Sequence, residues 1–236
     1  VYSQNRKDYF KTQIALGELT DPQLKEVSGI TPATGLGNFW VHNDSGDGAH
    51  VYLINREAQL LKKITLEGMS VVDCEDIDRV KIGDTYFLVL ADIGNNLGKR
   101  TWVCLYVFPE PQAEDPELIP KKSIRVIYLK FPNHQRLDAE SVMIDPIDNM
   151  LYVISKREFR STVYSAPVFN NTKRQYFTLD KVVELPLTFA TGAAIDPTGI
   201  QVLVKNITHI FYWQRQTKES WEQVFKRRPT ILPYQV

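Results

Sequence analysis

Carboxylates and cations recur at matched places in four segments of this chain. Three apolar runs open on acids: Glu26-Val-Ser-Gly-Ile, Asp73-Cys-Glu-Asp-Ile and Asp138-Ala-Glu-Ser-Val. A fourth, Ala190-Thr-Gly-Ala-Ala-Ile, carries Thr191 instead. Each is followed by a second apolar run with a polar tail. The tails are His42-Asn43-Asp44, Asp92 with Asn95 and Asn96, Ser155-Lys156-Arg157, and Lys205-Asn206.

Three kinds of chemistry suit these residue types. Paired carboxylates beside an ammonium can run acid–base steps, because close like charges raise one pKa and a cation lowers the other. Glu75, Glu140, Lys156 and Lys205 are the candidates for catalysis of this kind. Carboxylates with amide carbonyls also suit a hard cation, most simply Ca²⁺, which takes 6–8 oxygen ligands. Asn43, Asp44, Glu75, Asp92 and Glu140 form that candidate metal set. The third use is structural: acids at strand heads cap backbone N–H groups and are neutralised by nearby cations. For ligand recognition the residues to watch are Glu26, His42, Asp44, Asp92 and Asn96.

Other chemistry is disfavoured. No Gly-x-Ser-x-Gly elbow occurs, and no serine–histidine pairing stands out among only 4 histidines. His42 alone does not make a zinc site. A formal net charge of +0 removes any general attraction to nucleic acid or anionic membrane. No apolar run approaches the ~20 residues of a membrane span. With 2 cysteines the chain is not a disulfide framework. Cys74 and Cys104 are expected on strands two places apart, ~10 Å from each other, which favours buried thiols over a bridge.

The elements that must position these residues are short strands. The first repeat reads as strands over Glu26–Thr31, Asn38–Asn43, His50–Asn55 and Gln59–Leu66. The second reads as Cys74–Val80, Thr85–Ala91, Thr101–Phe108 and Ser123–Lys130, with an exposed Pro- and acid-rich loop over Pro109–Lys122. The third reads as Ala139–Ile144, Met150–Lys156, Thr162–Pro167 and Phe177–Leu185. The fourth reads as Ala190–Ile195, Gln201–Val204, Thr208–Gln214 and Trp221–Lys226. Asp145-Pro-Ile-Asp-Asn149 and Asp196-Pro-Thr-Gly199 are turn chemistry between first and second strands. Helix is limited to single turns near Pro132–Leu137 and Lys218–Val224. A fourfold inner-strand motif with heads 47, 65 and 52 positions apart suits four-stranded blades with variable loops. The fold class expected is all-β: one β-propeller domain of about five four-stranded blades, the last incomplete here, or six.

Residues 1–11 read as a polar N-terminal arm. Thr12–Leu19 reads as the outer strand of a fifth blade, whose remaining strands would come from beyond Val236, in a second polypeptide for instance. The chain opens on Val1 rather than Met and carries sequons at Asn43, Asn170 and Asn206. These features point to a secreted, extracellular glycoprotein, with Asn170 and Asn206 the sites expected to carry glycan.

The segments Glu26-Val-Ser-Gly-Ile, His42-Asn-Asp-Ser-Gly-Asp47, Asp73-Cys-Glu-Asp-Ile, Ala91-Asp-Ile-Gly-Asn-Asn96, Asp138-Ala-Glu-Ser-Val and Ser155-Lys-Arg157 together resemble a family. It is a group of mostly uncharacterised secreted β-propeller proteins, many of them bacterial. The resemblance covers nearly the whole chain and implies a propeller and an extracellular habit, but no shared activity. In that family a further Gly-Glu-Ala-type inner strand follows where this chain ends. Cys74 stands where the family has Trp, a departure that concerns packing.

Propeller geometry turns the repeat into a functional expectation. Inner-strand heads and second-strand tails meet around one mouth of a central channel, so the acids, Lys156 and Lys205 should converge there. The function expected is binding of a small-molecule or protein ligand at that mouth. A Ca²⁺-dependent lactonase or esterase using the same residues is the alternative. Trp40, Tyr86, Tyr152 and Phe211 are expected to pack between blades, while Trp102, Trp213 or Trp221 could mark a partner surface.

Overall fold

The computed structural model describes residues 14–168 and 172–232. Its first strands are β1 (Val27–Pro32), β2 (Phe39–Asn43), β3 (His50–Ile54) and β4 (Leu60–Leu66). Next come β5 (Asp76–Ile82), β6 (Thr85–Asp92), β7 (Val103–Pro109), the short β8 (Leu118–Ile119) and β9 (Arg125–Lys130). The third group is β10 (Ala139–Asp145), β11 (Met150–Ser155), β12 (Thr162–Pro167), β13 (Arg174–Thr178) and β14 (Asp180–Glu184). The last is β15 (Ala190–Ile195), β16 (Gln201–Asn206), β17 (Ile210–Gln214), helix α1 (Trp221–Phe225) and β18 (Thr230–Leu232).

These strands form four sheets in the orders β1-β2-β3-β4-β8, β13-β9-β7-β6-β5, β10-β11-β12-β14 and β15-β16-β17-β18. Each sheet is a blade, and the innermost strands pack in the sequence β1, β5, β10, β15. Large apolar clusters fill the seams between blades one and two, two and three, and three and four. Strands β10 and β11 are accordingly buried on both faces. Blade four is buried on one face only: in β16, Val202 and Val204 are buried while Gln201 and Leu203 are exposed. Among the described residues no apolar cluster joins blade four to blade one.

Polar ties cross the filled seams. Glu110 accepts from Thr34 N at 2.7 Å and from Trp40 Nε1 at 3.0 Å, tying blade two to blade one. Asp76 and Asp78 of β5 each accept a β10 amide, Val142 N and Ile144 N, at 2.9 Å. Asp145 is fully buried and bonds Arg215 at 2.6 Å and Trp221 Nε1 at 2.6 Å, joining blade three to blade four. Unsatisfied, these buried groups would each cost stability, so the ties fix blade orientation as well as offsetting desolvation.

Several expectations need correction. The described residues form four blades, not five or six. Residues 14–19 form no strand, and positions 12 and 13, like the arm over 1–11, lie outside the described residues. Ile14 and Leu16 alternate as strand residues do, but residues 14–19 have no ladder partner among the described residues. The expected strand Trp221–Lys226 is helix α1. Ser220 and Gln223 form a capping box, and Trp221, Val224 and Phe225 bury one helical face. The outer strand of blade four is instead β18. The expected Phe177–Leu185 strand divides: β14 closes blade three, while β13 joins the rim of blade two, parallel to β9. Within the expected loop Pro109–Lys122, β8 pairs in parallel with β4 of blade one. Both cysteines are buried and free. Trp213 and Trp221 are buried; Trp102 is 37% exposed and packs edge-on against Tyr176.

Candidate functional site

The inner strands share one local irregularity. Ladder register shifts between Val27 and Gly29, between Ala139 and Ser141, and between Ala190 and Gly192. The skipped residues are Ser28, Glu140 and Thr191. In blade two, Glu75 N bonds Ala91 O while Asp76 also pairs with Ala91, so Glu75 holds the equivalent place. A bulge re-aims the residue it releases. Here it occurs at the same place in every blade, next to the strand heads.

Two carboxylate triads result. One oxygen each from Asp44, Asp73 and Glu75 lie within 4.8 Å of one another, and so do oxygens of Glu75, Asp138 and Glu140. Glu75 belongs to both. Asp138 is matched by Arg157 Nε at 2.8 Å and by the Asn95 amide at 2.7 Å. Lys156 Nζ donates to Glu140. Asn96 Nδ2 donates to Asp73 at 3.1 Å, and Arg157 in turn bonds the Asn96 carbonyl. Among the described residues no donor reaches the Glu75 carboxyl; its own backbone carbonyl accepts from Ser28 Oγ at 3.2 Å.

Burial, followed by the charges of Glu140, Asp73 and Asp44, pushes the Glu75 carboxyl up to about 9. Burial also raises Glu140 despite Lys156, and raises Asp73 despite Asn96. Burial and like charge thus favour the neutral form of Glu75, and among the described residues it makes no salt bridge of its own. Gly94 makes this crowding sterically feasible. A Cβ there would stand 2.4 Å from both the Asp73 and the Glu75 carboxyl groups.

The remaining sequence-picked residues are dispersed. Asp92 is buried and committed: it takes Arg100 at 2.8 Å and the amides of Asp73 and Val72 at 2.8 and 3.3 Å. His42 is fully buried behind Gly29, and desolvation lowers its pKa to about 4. Asn43 is buried and donates to Gln23 O at 2.7 Å. Glu26 is exposed, with its carbonyl accepting from Asp44 N at 2.8 Å. Lys205 Nζ donates to Thr191 Oγ1 at 3.2 Å on the blade-four side. Of the expected metal set, Asp44, Glu75 and Glu140 enter a triad, and Asn43 and Asp92 do not. Asp73 and Asp138, read from sequence as strand heads but not as ligands, do. Asn206 caps its own turn, accepting from Thr208 N and His209 N and donating to Thr188 O. Asn170 lies outside the described residues.

No family model and no curated protein matches the chain. Solved structures do. An auxiliary nutrient binding protein from Bacteroides thetaiotaomicron aligns over 92% of this chain and 47% of its own, with TM-score 0.51 and 12% identity. A chain of a nidogen/laminin complex aligns over 87% of this chain and 64% of its own, with TM-score 0.50 and 10% identity. This chain thus spans about half to two thirds of the length of these neighbours. At such identities the likeness speaks for fold alone. Four sheets packed inner strand to inner strand, together with these alignments, give the chain the β-propeller fold.

Proposed function

We propose that this chain is an extracellular ligand-binding propeller whose working surface is the channel mouth, and that the group it takes there is positively charged. The observation that carries this reading is the position of Glu75. It is shared by two triads, crowded by like charge and, among the described residues, reached by no donor. A cation entering beside it would satisfy an electrostatic deficit that the protein leaves open.

Ca²⁺ is the simplest occupant. Asp44, Asp73 and Glu75 would hold it, since the Lys156 ammonium on Glu140 opposes a cation in the other triad. Three carboxylates with water suit a hard cation, and Asp44 and Asp73 are open enough to admit it. Affinity in the range of extracellular modules, roughly 10⁻⁴–10⁻³ M, is expected.

Calorimetric titration with Ca²⁺ and with Mg²⁺ tests the reading. Heat with Ca²⁺, lost in Asp73→Asn, supports it; no heat with either ion up to about ten times that range refutes a Ca²⁺ site. A lactonase or esterase at the same mouth would turn over an ester and lactone panel and lose turnover in Glu75→Gln or Glu140→Gln. The two neighbours, described by nutrient binding and by a laminin complex, lend that alternative nothing.

A further inference from the structure

Large apolar side chains project from successive loops of the mouth face. Val72 precedes β5, Leu97 lies between β6 and β7, Phe159 between β11 and β12, Phe189 before β15, and Ile207 between β16 and β17. Each of these loops enters an inner strand or leaves a second one, so all share that face. The five side chains are 45% to 89% exposed. A single exposed apolar residue is ordinary, but these five form a continuous arc. Asn96 Nδ2 donates to Asp73 at 3.1 Å, joining the loops of Val72 and Leu97. Arg157 bonds the Asn96 carbonyl, joining the loops of Leu97 and Phe159. Ala190 N donates to Ser161 Oγ at 3.1 Å, joining Phe159 to Phe189. Asn206 Nδ2 donates to Thr188 O at 3.2 Å, joining Phe189 to Ile207.

One tip is held outward against its backbone preference. Phe189 has a φ of 54°, in the left-handed region that a bulky side chain rarely adopts, and its ring is nonetheless exposed. Cations stand between the tips: Lys99 beside Leu97, Arg160 beside Phe159, and Arg136 on the loop before β10. The Arg136 carbonyl lies 3.7 Å from where a Cβ on Gly98 would stand, so its loop abuts that of Leu97. All three cations are exposed, and none makes a salt bridge among the described residues. The formal net charge is +0, so this positive character is local. Glu75, Asp138 and Glu140 of the mouth are buried, whereas the tips and these cations are exposed, so an approaching surface meets the latter.

We infer that this arc is a docking surface for an anionic lipid membrane, with the apolar tips entering the headgroup region and Lys99, Arg136 and Arg160 meeting lipid phosphates. Interfacial binding grows with buried apolar area and with attraction to anionic lipid, and the arc supplies both. Tips that project singly from separate loops suit a lipid surface, which deforms around each of them. A protein partner would have to match their relief with a fixed, closely packed surface. The arc surrounds the carboxylate triads without using them, so the inference does not rest on the cation reading.

The test is co-sedimentation of the intact protein, in the presence of a chelator, with vesicles of phosphatidylcholine alone or with about one third phosphatidylserine. Three cations near an anionic surface should make binding to the mixed vesicles about a hundredfold tighter, an advantage that falls as salt rises. Phe159→Ser should weaken that binding about tenfold or more, and Arg160→Ala about fivefold. Leu36→Ser, at a fully exposed position on the loop between β1 and β2 at the opposite face, should leave it unchanged. These positions are exposed, so circular dichroism should show the fold intact in all three variants. Phe159→Trp reports insertion directly: its added emission should shift to the blue with the mixed vesicles. Absence of binding, equal binding to both vesicles, an equal loss in Leu36→Ser, or no shift in Phe159→Trp would each overturn the inference. So would a concentration-dependent dimer, formed without lipid, that Phe159→Ser dissolves, since the arc would then belong to a second copy.

Discussion

Replacing Glu75 by Gln should change how stability depends on pH, in a direction that distinguishes a stored proton from an ordinary ion pair. In the unfolded chain a glutamate loses its proton near 4.5; in the folded mouth Glu75 keeps it up to about 9. Between these values the folded state binds the extra proton. Stability contributed by the neutral form is complete below about 4.5 and is lost as pH rises toward 9. The size of the loss follows from geometry. Carboxylate oxygens within 4.8 Å of each other repel by about 0.9 kcal/mol at the dielectric of water and about 3.5 kcal/mol at an effective dielectric of 20. The mouth lies between these limits, so repulsion alone should cost wild type about 1–3 kcal/mol between pH 5 and pH 9 relative to the variant, and burial, the larger cause of the shift, adds to that loss. Urea unfolding across that range measures it. Buried acids outside the triads, such as Asp78, pushed up to about 7, slope both proteins alike, so only the difference is read. Adding Ca²⁺ at ten times its dissociation constant should restore about 1.4 kcal/mol to wild type at pH 9 and less to the variant. Parallel pH profiles for the two proteins would refute the reasoning, because Glu75 would then be ionised at little cost.

Two further changes probe the frame around the site. Gly94→Ala places a methyl group against the Asp73 and Glu75 carboxyls; it should cost about 1–3 kcal/mol in urea unfolding and abolish Ca²⁺ heat, and unchanged binding would show that the triad can move aside. Asp145→Ala strands the buried Arg215 guanidinium and the Trp221 indole N–H; it should cost about 3–5 kcal/mol and loosen blade four first, seen as faster amide exchange in β16 and β17 than in β6.

The inner strands were legible because each pairs a polar head with a short apolar run and a turn, a pattern that needs only local residues. Convergence of Asp44, Glu75 and Glu140 followed from that register. The roles of Asp73 and Asp138 were half legible. Both were seen as strand heads, but the bulges at Glu75 and Glu140 that crowd the heads together arise from ladder register, which no composition reveals. Helix α1 was half legible: the single turn expected near Lys218–Val224 overlaps it, while the strand preference of its aromatic residues also favoured a strand over Trp221–Lys226. Strand β13 was unreadable in principle: nothing in Arg174–Thr178 says that its partner is β9 rather than β12. His42 reads from sequence as a ligand-binding residue, yet the glycine opposite it, Gly29, which lets its ring sit behind β1, is the more informative residue.

The parallel pairings of β8 with β4 and of β13 with β9 give this ring a property that simple repeats lack. The rim of each of the first two blades is sealed by chain that belongs, in sequence, to the following one. Unpaired outer edges are thereby covered where a sheet would otherwise invite a foreign strand. The same lacing means that a cut placed between blades one and two, or two and three, removes a strand from the blade left behind. A gene segment encoding a single repeat would therefore yield an unfinished sheet, and the unit that folds, and that selection could have copied whole, is larger than the motif that recurs.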